Sequence, residues 1–402
     1  MQGKFKYREC NVHDIPVGDM TVRLWSASGQ DNRKAIEKAF SQLARSGFVY
    51  PYAALMPDWH PGDDAVVGSV VPTREVLLPG IIGGDIGCGM IATQLPCLID
   101  DITPRLQEIA AKLHSAIPTG TEHNAIVSHR VALHPLWKKE LRAPVSSRTL
   151  RKLVRQFGSL GGGNHFLEIQ KDHHGFIWIM LHSGSRYLGV QVRDWYVDQG
   201  TKLRDTDRKL YSKIPYLPAA DPVAQDYLAD METVREFAGE SRREMMIRAL
   251  EVFGSIIPGL DINALLMNSI NVGHNYIGRE EHFGELLYVH RKGAICLKQG
   301  ERGLVPGSMG TSSYVVEGRG NEFGFNSCAH GGGRKMSRAA ASRQISERDF
   351  RESMKGVVYE HNSLLLDEAP DAYKNIKVVM RGQSDLVKII HEVRPIISVK
   401  GR

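Results

Sequence analysis

The alternation of apolar and polar positions divides the chain into segments of different character. Residues 31–47, DNRKAIEKAFSQLARSG, carry Ile36, Ala39, Phe40 and Leu43 at helical spacing, and Gly47 stands where a left-handed helix-ending residue belongs. This predicts an amphipathic packing helix. Residues 48–95 are dense in Gly, Val, Ile and Pro without a helical period, so short strands joined by glycine turns are expected, with polar groups on the loops between them. FIWIML at residues 176–181 predicts a buried strand ended by His182, Ser183 and Gly184, and residues 286–289 predict another ended by His290. Asp221 and Pro222 form an N-cap and a first helical residue, with Val223, Tyr227, Met231 and Val234 on one face of the helix that follows. Residues 242–253 predict a second helical stretch beyond Gly239. With no internal repeat, low-complexity tract or linker, the expectation is an α+β (mixed α/β) fold forming one large domain over residues 1–402.

Composition narrows the class. At 402 residues, 42% hydrophobic and 24% charged, the chain is globular and neither disordered, collagenous nor fibrous. No stretch approaches the roughly 18 apolar residues of a membrane span. The opening MQGKFKYREC lacks the apolar core of a secretory leader, so a cytoplasmic protein is expected. Five cysteines (Cys10, Cys88, Cys97, Cys296, Cys328) are odd in number, scattered and without C-x-x-C, which excludes a disulfide framework and a thiol-only zinc ribbon. The formal charge of +6 is compatible with a polyanionic partner without requiring one. It is unevenly distributed: residues 130–155 hold Arg130, Lys138, Lys139, Arg142, Arg148, Arg151, Lys152 and Arg155 against the single acid Glu140. Such a run is either a solvated helix face or a track for a phosphate backbone.

Several polar residues sit in glycine-rich turns. Asp85 and Cys88 in PGIIGGDIGCGM put a carboxylate and a thiolate within reach of one cation, although Cys88 also reads as a buried structural cysteine. GGGNHFLEI supplies Asn164, His165 and Glu168; LHSGSR supplies His182; NVGHNY supplies His274; NSCAHGGGRKMSR supplies His330. His173 and His174 read as solvent-facing, whereas His182, after a buried strand, needs a partner and is either a satisfied core histidine or a ligand. One carboxylate, one thiolate and four imidazoles would suffice for a two-metal site with a bridging thiolate, and they favour zinc-like metals over magnesium. PGSMGTSSY and AHGGGRKMSR combine glycines and hydroxyls, with Arg334, Lys335 and Arg338 in the second, as phosphate-binding nests do. Neither has the Walker A spacing, and plain glycine turns remain the alternative. His330 beside such a nest is a candidate nucleophile for phosphoryl or nucleotidyl transfer.

Taken in order, MPDWHPGDDAVVGSVVPT, PGIIGGDIGCGM, GGGNHFLEI, LHSGSR, GHNY, RKGA, PGSMGTSSYVVEG, AHGGGRKMSR, EAPDAYKNI and the closing VKG make the chain resemble the RtcB family of RNA-splicing ligases, from about Trp25 to Gly401. The resemblance implies a GTP- and manganese-dependent enzyme joining RNA 2′,3′-cyclic phosphate or 3′-phosphate ends to 5′-hydroxyl ends. It implies a guanylylated His330. The ligands of two Mn²⁺ ions would be Asp85, Cys88, His165, His182 and His274, with Cys88 bridging, His182 and His274 on one ion, and Asp85 and His165 on the other. For the nucleotide it implies Asn164 at phosphate oxygens and Glu168, Ser313, Tyr373 and Lys400 around guanine. Asn275, Pro306, Gly307, Ser308, Met309, Gly331 and Gly333 complete the GTP walls. Arg186, with Arg148, Arg151 and Lys152 of the basic run, is assigned to RNA phosphates, and a guanylylation-promoting protein is an expected partner. This chain departs from many relatives at Gly332, where they have alanine, and at Trp59 and Asp63-Asp64 in the first motif. A metal-dependent phosphoesterase that opens cyclic phosphates without joining ends is the alternative reading, and a nucleotide- or RNA-binding module with a structural metal is a third.

Overall fold

The fold is described by a computed structural model covering residues 11–26, 32–62, 65–206 and 214–401. Cys10, Asp63 and Asp64 lie outside the described residues. Strand alternation sets the architecture. In the strand Phe176–Ser183, Ile177, Ile179 and Leu181 pack into one core while Trp178 and Met180 pack into another, so the strand is buried on both faces and reads as an unbroken apolar run. By the same alternation His182 projects with Trp178 and Met180.

This strand belongs to an eight-stranded sheet ordered Ile270–Gly273, Gly89–Leu98, Phe176–Ser183, Phe166–Asp172, Val387–Lys400, Ser313–Gly318, Arg302–Val305, with Val358–Tyr359 pairing beside Val387–Lys400. A six-stranded sheet runs Asn11–Val17, Met20–Ser26, Ala53–His60, Val67–Thr73, Glu285–Lys292, Asn275–His282. Pairing is antiparallel except between Met20–Ser26 and Ala53–His60 and between Val358–Tyr359 and Val387–Lys400. Ala54, Met56, Val70, Leu287 and Val289 of the second sheet share one core with Met90, Ala92, Met180, Val315 and Val393 of the first. The helices Leu106–Ala116 and Pro222–Gly254 cover the other face of the eight-stranded sheet through Ile109, Leu113, Met245, Ala249 and Phe253. The helix Arg33–Ser46 packs Ile36, Phe40 and Leu43 against Val22, Leu24 and Leu55 of the six-stranded sheet. The class is therefore the mixed helix and sheet expected, with the antiparallel bias of α+β folds.

The helix Arg33–Ser46 starts at Asn32, whose side chain accepts from the Ala35 amide at 3.1 Å, and ends at Gly47 with φ +69°. Two expectations need correction. The stretches on either side of Gly239 form one helix, Pro222–Gly254, because buried Met231, Val234, Phe237, Met245 and Met246 flank the glycine and outweigh its cost of about 1 kcal/mol. His290 does not end its strand; it lies inside Glu285–Lys292, where its Nε2 accepts from the Leu78 amide at 2.9 Å and Nδ1 lies 2.9 Å from Val71 O. Burial pulls its pKa down to about 4, so it is a satisfied neutral core histidine.

Its neighbour Arg291 is fully buried. The guanidinium donates to Glu280 Oε2 at 2.9 Å, to Phe325 O at 2.8 Å and to Ser327 Oγ at 2.9 Å, tying three segments together. Although burial works against ionisation, Arg291 holds the Glu280 carboxyl down at about 2. Replacing Arg291 by leucine should cost about 3–5 kcal/mol, because it leaves a carboxylate in the interior without its cation. A carboxyl with a lowered folded pKa stabilises above its ordinary range near 4.5 and loses that contribution as pH falls towards 2. The stability gap between wild type and Arg291→Leu in urea titrations should accordingly narrow across that window; a constant gap would refute the assignment.

Candidate metal and nucleotide site

The polar residues of the eight-stranded sheet come together where its strands meet the glycine turn before Gly89. Gly89 pairs with Ser183 and with Gly273, and Met90 pairs with His182, which aligns the segments holding Cys88, His182 and His274. The turn is fixed by its backbone: Cys88 N donates to Asp85 O at 3.1 Å, Gly87 N to Asn275 O at 2.8 Å, and His274 N to Cys88 O at 2.8 Å. Cys88 Sγ then lies 3.2 Å from His182 Nε2 and 3.5 Å from His165 Nε2. His182 Nε2 and His274 Nε2 are 3.4 Å apart, and Asp85 Oδ2 lies 3.2 Å from His165 Nε2. Two trios result, Cys88–His182–His274 and Asp85–Cys88–His165, each with ligand atoms within 4.8 Å of one another and both containing Cys88.

The chemistry of the trios suits metal. His165 Nδ1 is 3.0 Å from Leu160 O and His182 Nδ1 is 3.2 Å from Asn164 O; a proton held there by a carbonyl leaves Nε2 a bare lone pair facing the cluster. Burial keeps His182 and His274 far below the ordinary imidazole range, in the neutral, ligating form. Burial is also unfavourable for Asp85, but beside His165, and with Oδ1 accepting from the Ser185 amide at 3.0 Å, its carboxyl is lowered to about 2. The Cys88 thiol is pushed up by burial and by Asp85, so binding an ion there displaces a proton.

A cavity of about 820 Å³ opens over the cluster, and His330 stands in its wall. The His330 ring is 4.7 Å from that of His274, centre to centre. Asp58, fully buried in the strand Ala53–His60, accepts from the amides of His330 at 3.1 Å and Gly331 at 3.2 Å, and its Oδ2 lies 2.7 Å from His330 Nδ1. Gly333 has φ +69°, and a Cβ there would sit 1.9 Å from Asp58 O, so the loop can turn only with glycine at this position. Gly332 is different: a Cβ there would make ordinary contacts of 3.8 Å or more.

At the far end of the cavity Glu368, itself buried, gathers cations. Arg334 Nη1 donates to Oε1 at 3.0 Å, Arg338 Nη1 to Oε1 at 2.6 Å, Tyr373 Oη to Oε2 at 2.6 Å, and Lys400 pairs with Oε2. Despite burial, Lys400 and Arg338 hold Glu368 at about 2. Glu168 behaves oppositely: burial raises it to about 7 against a 2.7 Å hydrogen bond from Gln170 Nε2.

The family model described as "tRNA-splicing ligase RtcB" matches residues 39–141 and 128–401. The chain is 35% identical to the RNA-splicing ligase RtcB of Escherichia coli (strain K12), covering 97% of this chain and all of that protein. It belongs to the RtcB family. It is also 30% identical to the tRNA-splicing ligase RtcB of Archaeoglobus fulgidus over 92% of this chain and 91% of that one, and 28% identical to that of Pyrobaculum aerophilum over 88% of each.

The residues expected from sequence distribute unevenly around the site of this RtcB-family chain. Asn164, Glu168, Asn275, Pro306, Gly307, Ser308, Met309, His330, Gly331, Gly333, Tyr373 and Lys400 line the cavity beside Asp85, Cys88, His182 and His274. The Asn275 amide is engaged with the backbone, donating to Asp85 O at 2.9 Å and accepting from Gly293 N at 2.8 Å. Ser313 stands behind the wall, its Oγ accepting from Gln170 Nε2 and Gly307 N, each at 3.2 Å. Lys400 pairs with Glu368 rather than Glu168. Arg186 donates to Gly120 O at 2.7 Å behind the loop that carries His165. The basic run is not one continuous track. Arg130 pairs with Glu244 and Glu251, Lys139 with Glu236, Arg142 with Asp226, and Arg155 donates to the carbonyls of Asn124 and Ala125. Arg148, Arg151 and Lys152 remain exposed on the helix Ser147–Gln156.

Two residues of the site were not singled out from sequence, Asp58 and Glu368. Both lay within quoted motifs: a lone acid in the apolar ALMPDWH, and the acid that opens EAPDAYKNI. Sharing of Cys88 makes a differential prediction for metal titration by calorimetry or equilibrium dialysis with Mn²⁺ or Co²⁺. His274→Ala removes one ligand from one trio and should leave one ion bound per chain, whereas Cys88→Ala should weaken both. Equal losses in the two variants would contradict a shared thiolate.

Proposed function

We propose that this chain joins RNA ends through a guanylylated His330, using GTP and a pair of manganese ions. Family membership makes it an RNA ligase of splicing or repair and does not favour the phosphoesterase alternative. The observation that supports the finer reading is a buried Asp58–His330 pair set against the Cys88–His182–His274 trio inside a cavity large enough for a nucleotide. Asp58 faces Nδ1, so Nε2 is the atom left to attack the α-phosphorus of GTP; an N–P bond forms as the bond to pyrophosphate breaks. Asp58 orients the ring and stabilises the charge that develops on it, as the acid of a histidine pair does elsewhere. The bound divalent ions would supply charge neutralisation at phosphate oxygens and orientation of the leaving group.

GMP then passes from His330 to the RNA 3′-phosphate, and the 5′-hydroxyl attacks that activated phosphorus, forming the phosphodiester and expelling GMP. A 2′,3′-cyclic phosphate is first opened by water to the 3′-phosphate. The amides of the Pro306–Gly307–Ser308 turn and of Gly331 line the same cavity and suit phosphate oxygens. Arg148, Arg151 and Lys152, exposed and without acid partners among the described residues, suit the RNA backbone. A guanylylation-promoting protein partner belongs to this reading as well.

Incubation with α-labelled GTP and Mn²⁺ should yield a labelled protein adduct, acid-labile as an N–P bond is, that His330→Ala abolishes. Wild-type protein that seals RNA ends without passing through such an adduct would sink the histidine mechanism. Guanine offers two donors, N1–H and the exocyclic amine, which an ionised Glu168 can accept together and a protonated one cannot. Because burial holds Glu168 near 7, GTP affinity should rise up to about tenfold per pH unit on approaching pH 7 from below and level off above it. Glu168→Gln should flatten that profile and reduce discrimination against ATP; an unchanged profile would remove Glu168 from the base site.

A further inference from the structure

Arg242 has no role in the reading above, yet it is 4% exposed in the middle of the helix Pro222–Gly254. A charge in such a place is costly unless its donors are all used for something. Among the described residues it has no carboxylate partner; its hydrogen bonds go to backbone and amide oxygens. Nη1 donates to Gly87 O at 2.8 Å and to Ser183 O at 2.9 Å, and Nε donates to Asn271 Oδ1 at 3.0 Å.

Those three acceptors are not random. Gly87 precedes Cys88, Ser183 follows His182, and Asn271 lies on the strand Ile270–Gly273 that delivers His274. One guanidinium therefore grips all three segments that carry the Cys88–His182–His274 trio, and it grips them from the helix side, opposite the cavity. The Gly87 turn is pressed directly on that helix, since a Cβ at Gly87 would come within 2.8 Å of Arg235 Cα. Burial lowers the Arg242 pKa only to about 10, so it stays charged at neutral pH.

We propose that Arg242 is a positioning residue for the metal trio, a clamp that sets the separation of Cys88, His182 and His274 before an ion arrives. This rests on the reading that the trio binds metal. It follows from geometry and runs against simple charge: a buried cation repels a divalent ion, so if Arg242 acted only through its charge, neutralising it would strengthen metal binding. A clamp predicts the reverse. It also predicts asymmetry, because all three ligands of the Cys88–His182–His274 trio ride on gripped segments, whereas His165 of the Asp85–Cys88–His165 trio does not. Lysine keeps the charge but has one nitrogen in place of a planar fork, so it cannot reach the three acceptors together.

The test is Co²⁺ titration of the full chain, read by calorimetry and by the thiolate-to-cobalt charge-transfer band, in wild type, Arg242→Lys and Arg242→Gln. Both variants should lose about 10- to 100-fold in affinity at one of the two ions, the usual effect of removing a group that orients ligands, with the other ion bound much less altered. The charge-transfer band should shift in both, since the sulfur–nitrogen geometry changes. Normal affinity in Arg242→Lys, or tighter binding in Arg242→Gln, overturns the clamp in favour of a charge effect. Should the Arg242 variants fail to fold, Asn271→Ala at an exposed position removes the Nε partner together with a 3.3 Å hydrogen bond to Gly239 O; an unchanged cobalt titration there overturns the proposal. Wild type that binds no cobalt overturns the metal reading itself, whereas two ions bound normally in every variant overturns the clamp alone.

Discussion

A polar cluster buried at the end of the eight-stranded sheet is costly unless its hydrogen-bonding groups find partners, and that constraint shapes the loops around this one, although His274 Nδ1, His330 Nδ1 and Asp58 Oδ1 make no hydrogen bond among the described residues. His165 and His182 meet it by turning Nδ1 to the carbonyls of Leu160 and Asn164, both on the glycine-rich loop before the strand Phe166–Asp172. The loop must then pass very close to its neighbours. Gly161 has φ +89°, and a Cβ there would lie 2.0 Å from Arg186 Nη1 and 2.6 Å from His165 Nδ1. The glycines of GGGNHFLEI thus fix the histidine tautomer as much as they admit a ligand. A similar arrangement holds at His330, where Asp58 accepts from two loop amides and its Oδ2 lies 2.7 Å from His330 Nδ1. Gly333 in AHGGGRKMSR, which reads in the sequence as part of a phosphate-binding nest, is likewise required by close packing, here against Asp58 O.

Legibility followed the physics of each signal. The helix Arg33–Ser46 carries its own boundaries in Asn32 and Gly47, and the strand Phe176–Ser183 is announced by its apolar run, so both were readable from local pattern. Two-sheet packing was not, because it depends on which alternating face meets which. The join at Gly239 failed locally for a related reason: propensity penalises the glycine, but the helix is anchored on both sides of it, by Met231, Val234 and Phe237 in one core and by Met245, Ala249 and Phe253 in another. His290 and His182 look alike in sequence, each polar after an apolar strand. Only the environment separates them, since His290 satisfies both ring nitrogens with backbone whereas His182 leaves Nε2 facing other ligands.

The basic run shows how a linear count of charge misleads. Its net charge is large along the chain, yet the acids of the helix Pro222–Gly254, far away in sequence, take Arg130, Lys139 and Arg142 out of it. Asp58 and Glu368 were overlooked for the converse reason. A single acid in a motif carries no periodicity, and its importance lies in what converges on it from elsewhere. Gly332 is compatible with alanine on steric grounds while Gly333 is not, so the loop that carries His330 tolerates a side chain at one position and excludes it at the next.

The cavity lining around Glu368 and Glu168 has a charge balance that turns on one proton. Arg334, Arg338 and Lys400 bring three positive charges to Glu368, with Asp367 a second acid on Arg338, 2.7 Å away. One positive charge is left over when Glu168 is protonated and none when it is ionised. A triphosphate favours the first state and a guanine edge the second. Under the proposed reading both demands can be met together because they would fall on different atoms: bound metal would supply the surplus cation to the phosphates, leaving Glu168 free to ionise against the base.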